Sequence, residues 1–228
     1  MSAATKIMMG NLLKNRDEMK RFIIMRAFDD DVIKELSHLH HKPSHSCISK
    51  RSFTKIVSTH LGLDDDPIEI MRHCNLIFAP TIYEEHWFCY VLDKRNNKLF
   101  VLNSLSSERN EENKLLDLSM KRHFEMFLNF MNDLPQQTLE LVYEDLPQQK
   151  NVHDCGIYVL KYLEMWDGER KWGDKTMPDF TLDIVHFRRQ FVCEWVLHPQ
   201  NVVVKHALAK AKLPADFSID SLRSCEFI

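Results

Sequence analysis

One cysteine of the chain stands where a polar loop gives way to a long apolar segment. Residues 155–166 after Asp154 are mostly apolar, which predicts a largely buried helix that begins at Cys155 and stops at Gly168. The free N–H groups and positive dipole end of a helix favour the thiolate, which is the nucleophilic form of cysteine. Cys155 is therefore predicted to be a nucleophile, although a free cysteine considered alone is more often a buried structural residue.

A cysteine nucleophile needs a base, and the base needs a group that orients it. Two apolar segments upstream are predicted strands joined by the polar turn 93–97. His86 opens the first strand and Asn103 closes the second, 103 − 86 = 17 residues later. A hairpin brings these positions to the same end of the sheet, where the amide oxygen of Asn103 can hold one tautomer of the imidazole. This position favours His86 as the base, although a histidine at a strand end considered alone is more often structural.

The loop before the cysteine supplies a candidate for oxyanion stabilisation. Gln149 precedes Cys155 by 155 − 149 = 6 residues, and its side-chain amide can donate to a developing oxyanion. Asp154 is interpreted as the N-cap of the helix rather than as an acid in the chemistry. His153 is interpreted as a loop histidine, because a neighbour of the nucleophile at a helix start points its side chain elsewhere.

The elements that must position these residues are a mixture of strands and helices. Strands are predicted over residues 74–80, 86–92, 98–105 and 138–143, and helices over 30–41, 50–61, 66–73, 115–134, 155–166 and 182–197. Residues 21–25 are compatible with either state. The order of elements predicts an α+β fold in which an antiparallel-containing sheet packs against helices.

Three of these elements carry more detailed expectations. The segment 138–143 is expected to be a core strand, and the helix 182–197 is expected to cover the sheet with Arg188 and Arg189 on its exposed face. Apolar residues at helical spacing predict a core face along the helix 115–134, namely Leu116, Met120, Phe124, Phe127, Leu128 and Met131.

Four motifs occur in an order and spacing that resemble the ubiquitin-like protease family. They are His86-Trp87, residues 101–105 (Val-Leu-Asn-Ser-Leu), Gln149 and residues 154–156 (Asp-Cys-Gly). This family comprises the cysteine proteases that process and remove SUMO-type modifiers and are related to the adenovirus protease. The resemblance covers roughly residues 25–200 and is greatest to divergent plant members, many of them associated with transposons. It implies the papain-like cysteine protease fold of the adenovirus-protease type, with helices packed on a central sheet and a buried nucleophile helix.

The resemblance also implies roles for the site residues. The family's glutamine stands six residues before the cysteine, which favours Gln149 over Gln148. Trp87 is implied to cover a narrow channel for a Gly-Gly tail, where any Cβ would clash, although it could simply pack in the core. The implied function is cleavage after the C-terminal glycine of a ubiquitin-like modifier by a Cys155-His86-Asn103 triad, without a cofactor.

Two positions depart from the family's pattern. The family usually has Asp where this chain has Asn103, which keeps an acceptor for the imidazole but removes a negative charge. Ala27 stands where many members carry a tryptophan before a motif similar to residues 28–33, so Trp87 alone remains of a two-tryptophan clamp. These departures leave open a catalytically weak or inactive modifier-binding protein. An acyltransferase is a further alternative, since a similar triad serves acetyl transfer in related bacterial effectors.

The composition limits the class of protein. The chain has 228 residues, of which 44% are hydrophobic, enough for a sizeable core, and its net charge of −3 gives no basic field for nucleic acid. No apolar run is long enough to span a membrane. Six cysteines without regular spacing indicate a reducing compartment, and Cys89 and Cys193 lie in apolar runs typical of a core. The segment 38–47 is rich in possible metal ligands but lacks a zinc-site spacing, so no metal is expected.

We predict a catalytic domain over residues 25–200, an N-terminal extension over 1–24 and a tail over 201–228. The expected partner is a ubiquitin-like modifier or its conjugates, with neither nucleic acid nor membrane involved. We expect a monomer that acts inside the cell, in the nucleus or the cytoplasm.

Overall fold

The structure is a computed structural model that describes residues 21–24, 67–105, 111–132 and 138–191. Within these ranges a five-stranded sheet carries the helices, and its strands lie in chain order from one edge to the other. The strands are β1 Arg21–Ile23, β2 Leu76–Tyr83, β3 His86–Asp93, β4 Lys98–Leu102 and β5 Glu140–Tyr143. The helices are α1 Pro67–His73, α2 Glu111–Asn132, α3 Cys155–Met165 and α4 Ile184–Phe191. The predicted α+β class with an antiparallel-containing sheet is confirmed.

The centre of the sheet is the antiparallel meander of β2, β3 and β4. Residues 76–81 and 88–93 are buried without interruption, as expected for strands that are covered on both faces. A two-residue turn joins β2 to β3, and both of its residues, Glu84 and Glu85, have left-handed φ angles of 47° and 63°. Because the turn has only two residues, β3 begins at His86, and His86 therefore lies at the end of the sheet.

Parallel strands flank the meander on both sides. β1 pairs with β2 and β5 pairs with β4, and the second pair needs a crossover connection, which contains α2. The prediction that residues 138–143 form a core strand is wrong in one respect, because β5 lies at the edge of the described sheet. Its two middle residues are half-buried and its two end residues are exposed, with Tyr143 52% exposed.

The long helix α2 packs through the apolar face that its sequence predicts. All six predicted core residues are buried, although the helix begins at Glu111, four residues before the predicted start. Glu111 and Glu112 lie in its first turn, where acidic side chains interact favourably with the helix dipole. The buried Asp117 ties this helix to the sheet, because its carboxylate accepts hydrogen bonds from Tyr90 at 2.6 Å and Tyr143 at 2.9 Å.

The helix that begins at the cysteine is the central helix of the fold. α3 contacts β3 and is buried over most of its length, as predicted. Lys161 lies within this apolar helix but is only 6% exposed. Its Nζ atom binds Glu164 at 2.6 Å and lies 4.0 Å from the ring centroid of Phe187 on α4. A buried ammonium group is thus satisfied by a carboxylate and an aromatic face, and it joins the two helices.

The end of α3 differs slightly from the prediction. Trp166 already has extended backbone angles of φ −70° and ψ 128°, so the helix ends at Met165, one residue before the predicted end at residue 166. Gly168 follows in the left-handed region at φ 76°, and a Cβ there would lie 3.2 Å from the buried Trp166 ring. The glycine is therefore required both by its backbone conformation and by the indole packed against it.

Several predictions lie outside the described residues. They are the helices 30–41 and 50–61, Ala27, the segment 38–47 and Cys193. Of the helix predicted over 182–197, the structure describes α4, which packs on α3. In the described ranges no helix is long and apolar enough to cross a bilayer, and no group of three His, Cys, Asp or Glu residues is suited to a metal ion.

Candidate active site

The hairpin brings His86 and Asn103 into contact. Asn103 directly follows β4, and its Oδ1 atom lies 2.7 Å from Nε2 of His86. The same oxygen accepts the backbone N–H of Leu105 at 3.0 Å, which holds the amide in place. Because an amide oxygen only accepts hydrogen bonds, Nε2 must carry the hydrogen in the neutral ring. Nδ1 is then the basic nitrogen, and it remains available for a proton from another group.

The thiol of Cys155 interacts with the same imidazole. Cys155 is the first residue of α3 and is 5% exposed. Burial raises its pKa, but the hydrogen bond and charge of His86, together with the backbone N–H groups of Trp87 and Gly156, lower the pKa below its ordinary value overall. The β3 start and the α3 start therefore act together on the sulfur, and the thiolate is the form that these contacts stabilise.

A second buried cysteine shows that burial alone has the opposite effect. Cys74 is 1% exposed, and burial raises the pKa of its thiol to about 11, although Lys94 acts in the other direction. The contrast arises because Cys155 begins a helix and interacts with His86, whereas Cys74 follows the last residue of α1 and its thiol donates to the Ile70 carbonyl. The lowered pKa is thus a property of the position of Cys155.

The loop before α3 holds Gln149 in a defined orientation. Its side-chain Oε1 accepts a hydrogen bond from Ser104 at 2.6 Å, and its backbone N–H donates to the Ser104 carbonyl at 2.8 Å. The side-chain Nε2 donates to the carbonyl of Asn151. Nε2 carries two hydrogens, and no second acceptor for it is found among the described residues. Gln149 is only 8% exposed, so its amide is fixed and has one N–H group to offer.

Ser104 is a site residue whose role was not predicted from the sequence. Its hydroxyl donates to the oxygen end of the Gln149 amide, while the Asn151 carbonyl, which can only accept, fixes the end that carries the donors. Ser104 is 1% exposed and directly follows Asn103, so one short segment orients both the base and the amide. The signal available in the sequence was a serine immediately after a predicted site residue.

The neighbouring Gln148 is oriented differently. Its Nε2 donates to the Leu146 carbonyl at 2.8 Å, within its own loop. Trp87 is half-buried and packs against the hydrophobic core, while its backbone N–H reaches the sulfur of Cys155. His153 is exposed on the loop, as predicted.

Asp154 occupies the N-cap position of α3, but the prediction that its side chain caps the helix is wrong. Its backbone already has helical angles of φ −92° and ψ −4°, whereas a capping side chain usually requires an extended backbone. The carboxylate instead accepts a hydrogen bond from Asn151 Nδ2 at 2.6 Å and forms an ion pair with Arg188 on α4. Arg188 lies on the exposed side of α4 as expected, but it has a specific partner there.

A comparison with known families places the chain. Residues 3–181 match the family model described as the Ulp1 protease family, C-terminal catalytic domain. The chain belongs to the Ulp1 protease family. The resemblance predicted from the sequence motifs is thereby confirmed.

Curated plant relatives agree with this family. The chain is 33% identical over 97 residues to the ubiquitin-like-specific protease ESD4 of Arabidopsis thaliana. The aligned segment covers 41% of this chain and 19% of that protein. It is 24% identical over 163 residues to ubiquitin-like-specific protease 1A of the same plant. That aligned segment covers 68% of this chain and 29% of that protein. The chain thus spans less than a third of the length of these two relatives.

Solved structures of the Ulp1 family share the fold. The C-terminal Ulp1 protease domain in complex with SMT3, the yeast ortholog of SUMO, superposes with a TM-score of 0.52 at 16% identity, covering 81% of this chain and 71% of that one. A SUMO protease Ulp1 with its catalytic cysteine oxidised to a sulfonic acid gives a TM-score of 0.56 at 16% identity, covering 90% and 77%. These similarities confirm the predicted protease fold.

Within this Ulp1-family fold, the four predicted residues come from two separate parts of the structure. The sheet supplies the His86–Asn103 pair, and the loop before α3 and the helix itself supply Gln149 and Cys155. The arrangement combines a thiol of lowered pKa, an oriented imidazole with a basic nitrogen, and a fixed amide donor. Chemically, such a set can carry out acyl transfer through a thioester.

Proposed function

We propose that this chain is a cysteine peptidase that cleaves after the C-terminal glycine of a ubiquitin-like, SUMO-type modifier. The observation that carries the proposal is that His86, held by Asn103 at 2.7 Å, lowers the pKa of the Cys155 thiol through a hydrogen bond and its charge. This is the geometry of a nucleophile, a base and an orienting group.

The proposed reaction has two stages. His86 takes the proton of Cys155, and the thiolate attacks the carbonyl of the last glycine, with the new oxyanion bound by Gln149 and the Cys155 backbone N–H. The imidazolium then gives its proton to the leaving amine, and a thioester joins the modifier to the enzyme. Water, activated by His86, hydrolyses that thioester and restores the thiol.

Support for the substrate class comes from the relatives. The Arabidopsis proteins are named ubiquitin-like-specific proteases, and one of the similar solved domains is bound to SMT3. Trp87 flanks the cysteine through its backbone, so its half-buried side chain is the proposed cover of the channel for the glycine tail.

A modifier-binding protein with little or no catalysis is the second candidate, and Asn103 is the observation that favours it. A neutral amide orients the His86 ring but adds no negative charge to stabilise the imidazolium formed in the first stage. The two candidates make the same complex with a modifier and differ in the covalent step.

Labelling with an electrophilic modifier distinguishes the two candidates. A SUMO-type modifier with a C-terminal vinyl sulfone is expected to form a covalent adduct at Cys155, identified by mass spectrometry of the peptide. Cys155→Ser should give no adduct and no hydrolysis while its melting temperature stays unchanged, since a serine hydroxyl is a far poorer nucleophile here. Hydrolysis by Cys155→Ser at the wild-type rate would rule out a cysteine peptidase, and a non-covalent complex alone would favour the binding protein.

A further inference from the structure

The carboxylate of Asp154 is buried beside the nucleophile and has one cationic partner in the described structure. Its side chain is 3% exposed and pairs with the guanidinium of Arg188, which is 51% exposed on α4. A buried carboxylate is stable only when it is hydrogen-bonded and paired with a cation. Arg188, which lies 34 residues further along the chain, therefore supplies the positive charge that balances a buried carboxylate next to Cys155.

The same carboxylate organises the loop that leads to the nucleophile. Its second oxygen accepts the Nδ2 group of Asn151 at 2.6 Å. The Oδ1 atom of Asn151 in turn accepts the backbone N–H groups of His153 at 2.8 Å and of Asp154 at 3.1 Å, which folds the loop into a tight turn. These bonds fix the orientation of the Asn151 residue relative to α3.

The backbone carbonyl of Asn151 is the acceptor for the side-chain amide of Gln149. An unbroken series of hydrogen bonds thus runs from Arg188 through Asp154 and Asn151 to the proposed oxyanion donor. Ser104 holds the oxygen end of the same amide from the opposite side, at 2.6 Å. The amide is held at both ends, and the end that carries the donors depends on the series that starts at Arg188.

We propose that Arg188 is a positioning residue for the oxyanion donor Gln149, acting through Asp154 and Asn151. This inference rests on the proposed peptidase function. Loss of the guanidinium leaves Asp154 buried without a cation, so the carboxylate turns towards water and releases Asn151. The Gln149 amide then loses its fixed direction, and an oxyanion donor is effective only when it is aimed at the developing charge.

Two variants of Arg188 test the proposal, and a variant of its neighbour Arg189 is the control. The variants Arg188→Ala, Arg188→Lys and Arg189→Ala are compared with wild type in the hydrolysis of a SUMO-type modifier carrying a C-terminal aminomethylcoumarin amide. Arg189 is the next residue of α4 and is exposed, so its removal alters the helix charge equally. Active sites are counted by titration with the vinyl sulfone modifier, which prevents a partly unfolded sample from being scored as a slow enzyme.

The expected result is a change in kcat and not in KM. Arg188→Ala should lower kcat about tenfold, less than the loss of the whole oxyanion donor, with KM within about twofold of wild type. Arg188→Lys should recover part of the rate because it restores the charge without the planar fork of the guanidinium. Arg189→Ala should match wild type. A fall in kcat that is equal for Arg188→Ala and Arg189→Ala would overturn the proposal.

A double variant that combines Arg188→Ala with Gln149→Ala distinguishes an action through Gln149 from a merely structural role of Arg188. If Arg188 acts through Gln149, then Arg188→Ala should cause no further loss of kcat in a Gln149→Ala background. Alkylation of Cys155 by iodoacetamide should proceed at the wild-type rate in Arg188→Ala, because that reaction needs the thiolate but no oxyanion donor. Additive losses, or slower alkylation, would assign the effect of Arg188 to the helix or the thiolate and overturn the assignment to Gln149.

The hydrolysis rate of the wild type distinguishes failure of the proposed function from failure of the proposed role of Arg188. A wild-type protein that hydrolyses no modifier would refute the proposed function, and the role of Arg188 would fall with it. An active wild type whose Arg188→Ala variant matches Arg189→Ala would refute the role of Arg188 alone.

Discussion

Asn103 contributes an oriented acceptor to the site without contributing a charge. Its Oδ1 atom fixes the His86 tautomer through a 2.7 Å hydrogen bond, and the backbone N–H of Leu105 fixes Asn103 in turn. In the family a carboxylate usually stands at this position. Asn103 can therefore orient the His86 ring but cannot stabilise a positive charge on it.

Substitutions at position 103 should separate the two functions. We expect Asn103→Asp to keep or raise the hydrolysis rate, because a carboxylate accepts the same N–H and also stabilises the imidazolium. The half-buried position makes the desolvation of a new carboxylate moderate. Asn103→Ala should lower the rate because the His86 ring loses its orienting partner. The measurement is kcat/KM of both variants on one modifier substrate.

The ranking of the variants decides what position 103 does. Equal rates for wild type, Asn103→Asp and Asn103→Ala would show that the residue has no part in catalysis. No detectable rate in any of the three would favour the modifier-binding protein.

Two neighbouring glutamines provide a matched test of the oxyanion donor. Gln149→Ala should lower kcat roughly 10²-fold, the usual effect of removing one such donor. Gln148→Ala should stay within about twofold of wild type, because the Gln148 amide donates to the backbone carbonyls of Leu146 at 2.8 Å and Asn103 at 3.5 Å. If Gln149→Ala also stays within about twofold, then the oxyanion donor is another group.

At the scale of elements, α2 holds the sheet through one face only. Leu116 is completely buried on this face, whereas the adjacent Leu115 is 52% exposed. Leu116→Ala should therefore lower the free energy of unfolding by about 2–5 kcal/mol, from lost transfer energy and an unfilled cavity. Leu115→Ala should change it by no more than about 0.5 kcal/mol. Urea denaturation of the two variants measures the difference, and similar losses for both would contradict the described packing of α2.

The elements that carry the site could be predicted from the sequence because their signals are local. The turn 93–97 and the flanking apolar runs are enough to define β3 and β4, and hairpin geometry then brings His86 and Asn103 together. The start of α3 follows from the change from polar loop to apolar segment. Each of these inferences requires only residues close together in the chain.

The features that were missed depend on tertiary packing. Asp154 has the residue type of an N-cap, but its backbone angles and its pairing with Arg188 depend on where α4 packs. The hydrogen bond from Ser104 to Gln149 joins residues 45 positions apart. The edge position of β5 follows from the strand order of the whole sheet, which the local pattern of four residues does not contain.

At the scale of the whole molecule, the reactivity of Cys155 depends on contacts between the sheet and α3. We expect iodoacetamide to modify Cys155 faster than Cys74 at neutral pH, because the pKa of Cys155 is lowered whereas burial raises that of Cys74 to about 11. The rate at Cys155 should fall as the pH decreases through that lowered pKa, since the thiol replaces the thiolate. Peptide mass spectrometry after timed alkylation measures both rates.

Unfolding provides the control for this prediction. In concentrated urea the two cysteines should react at similar rates, because both pKa shifts arise from the folded structure. Equal rates for Cys155 and Cys74 in the native protein would contradict the described environment of the nucleophile.

The order of the site residues along the chain also bears on protein synthesis. His86 and Asn103 are translated first, then Gln149 and Cys155. The segment of α4 that contains Arg188 is translated only afterwards. Domains generally fold as units once their chain is complete, so the cysteine of a nascent chain has the reactivity of an ordinary thiol. A product that terminates before α4 would therefore contain the proposed nucleophile and its base but lack the residue proposed to hold the loop before α3. In this fold, Arg188, the proposed positioning residue, is translated after all the residues of the site that it helps to hold in place.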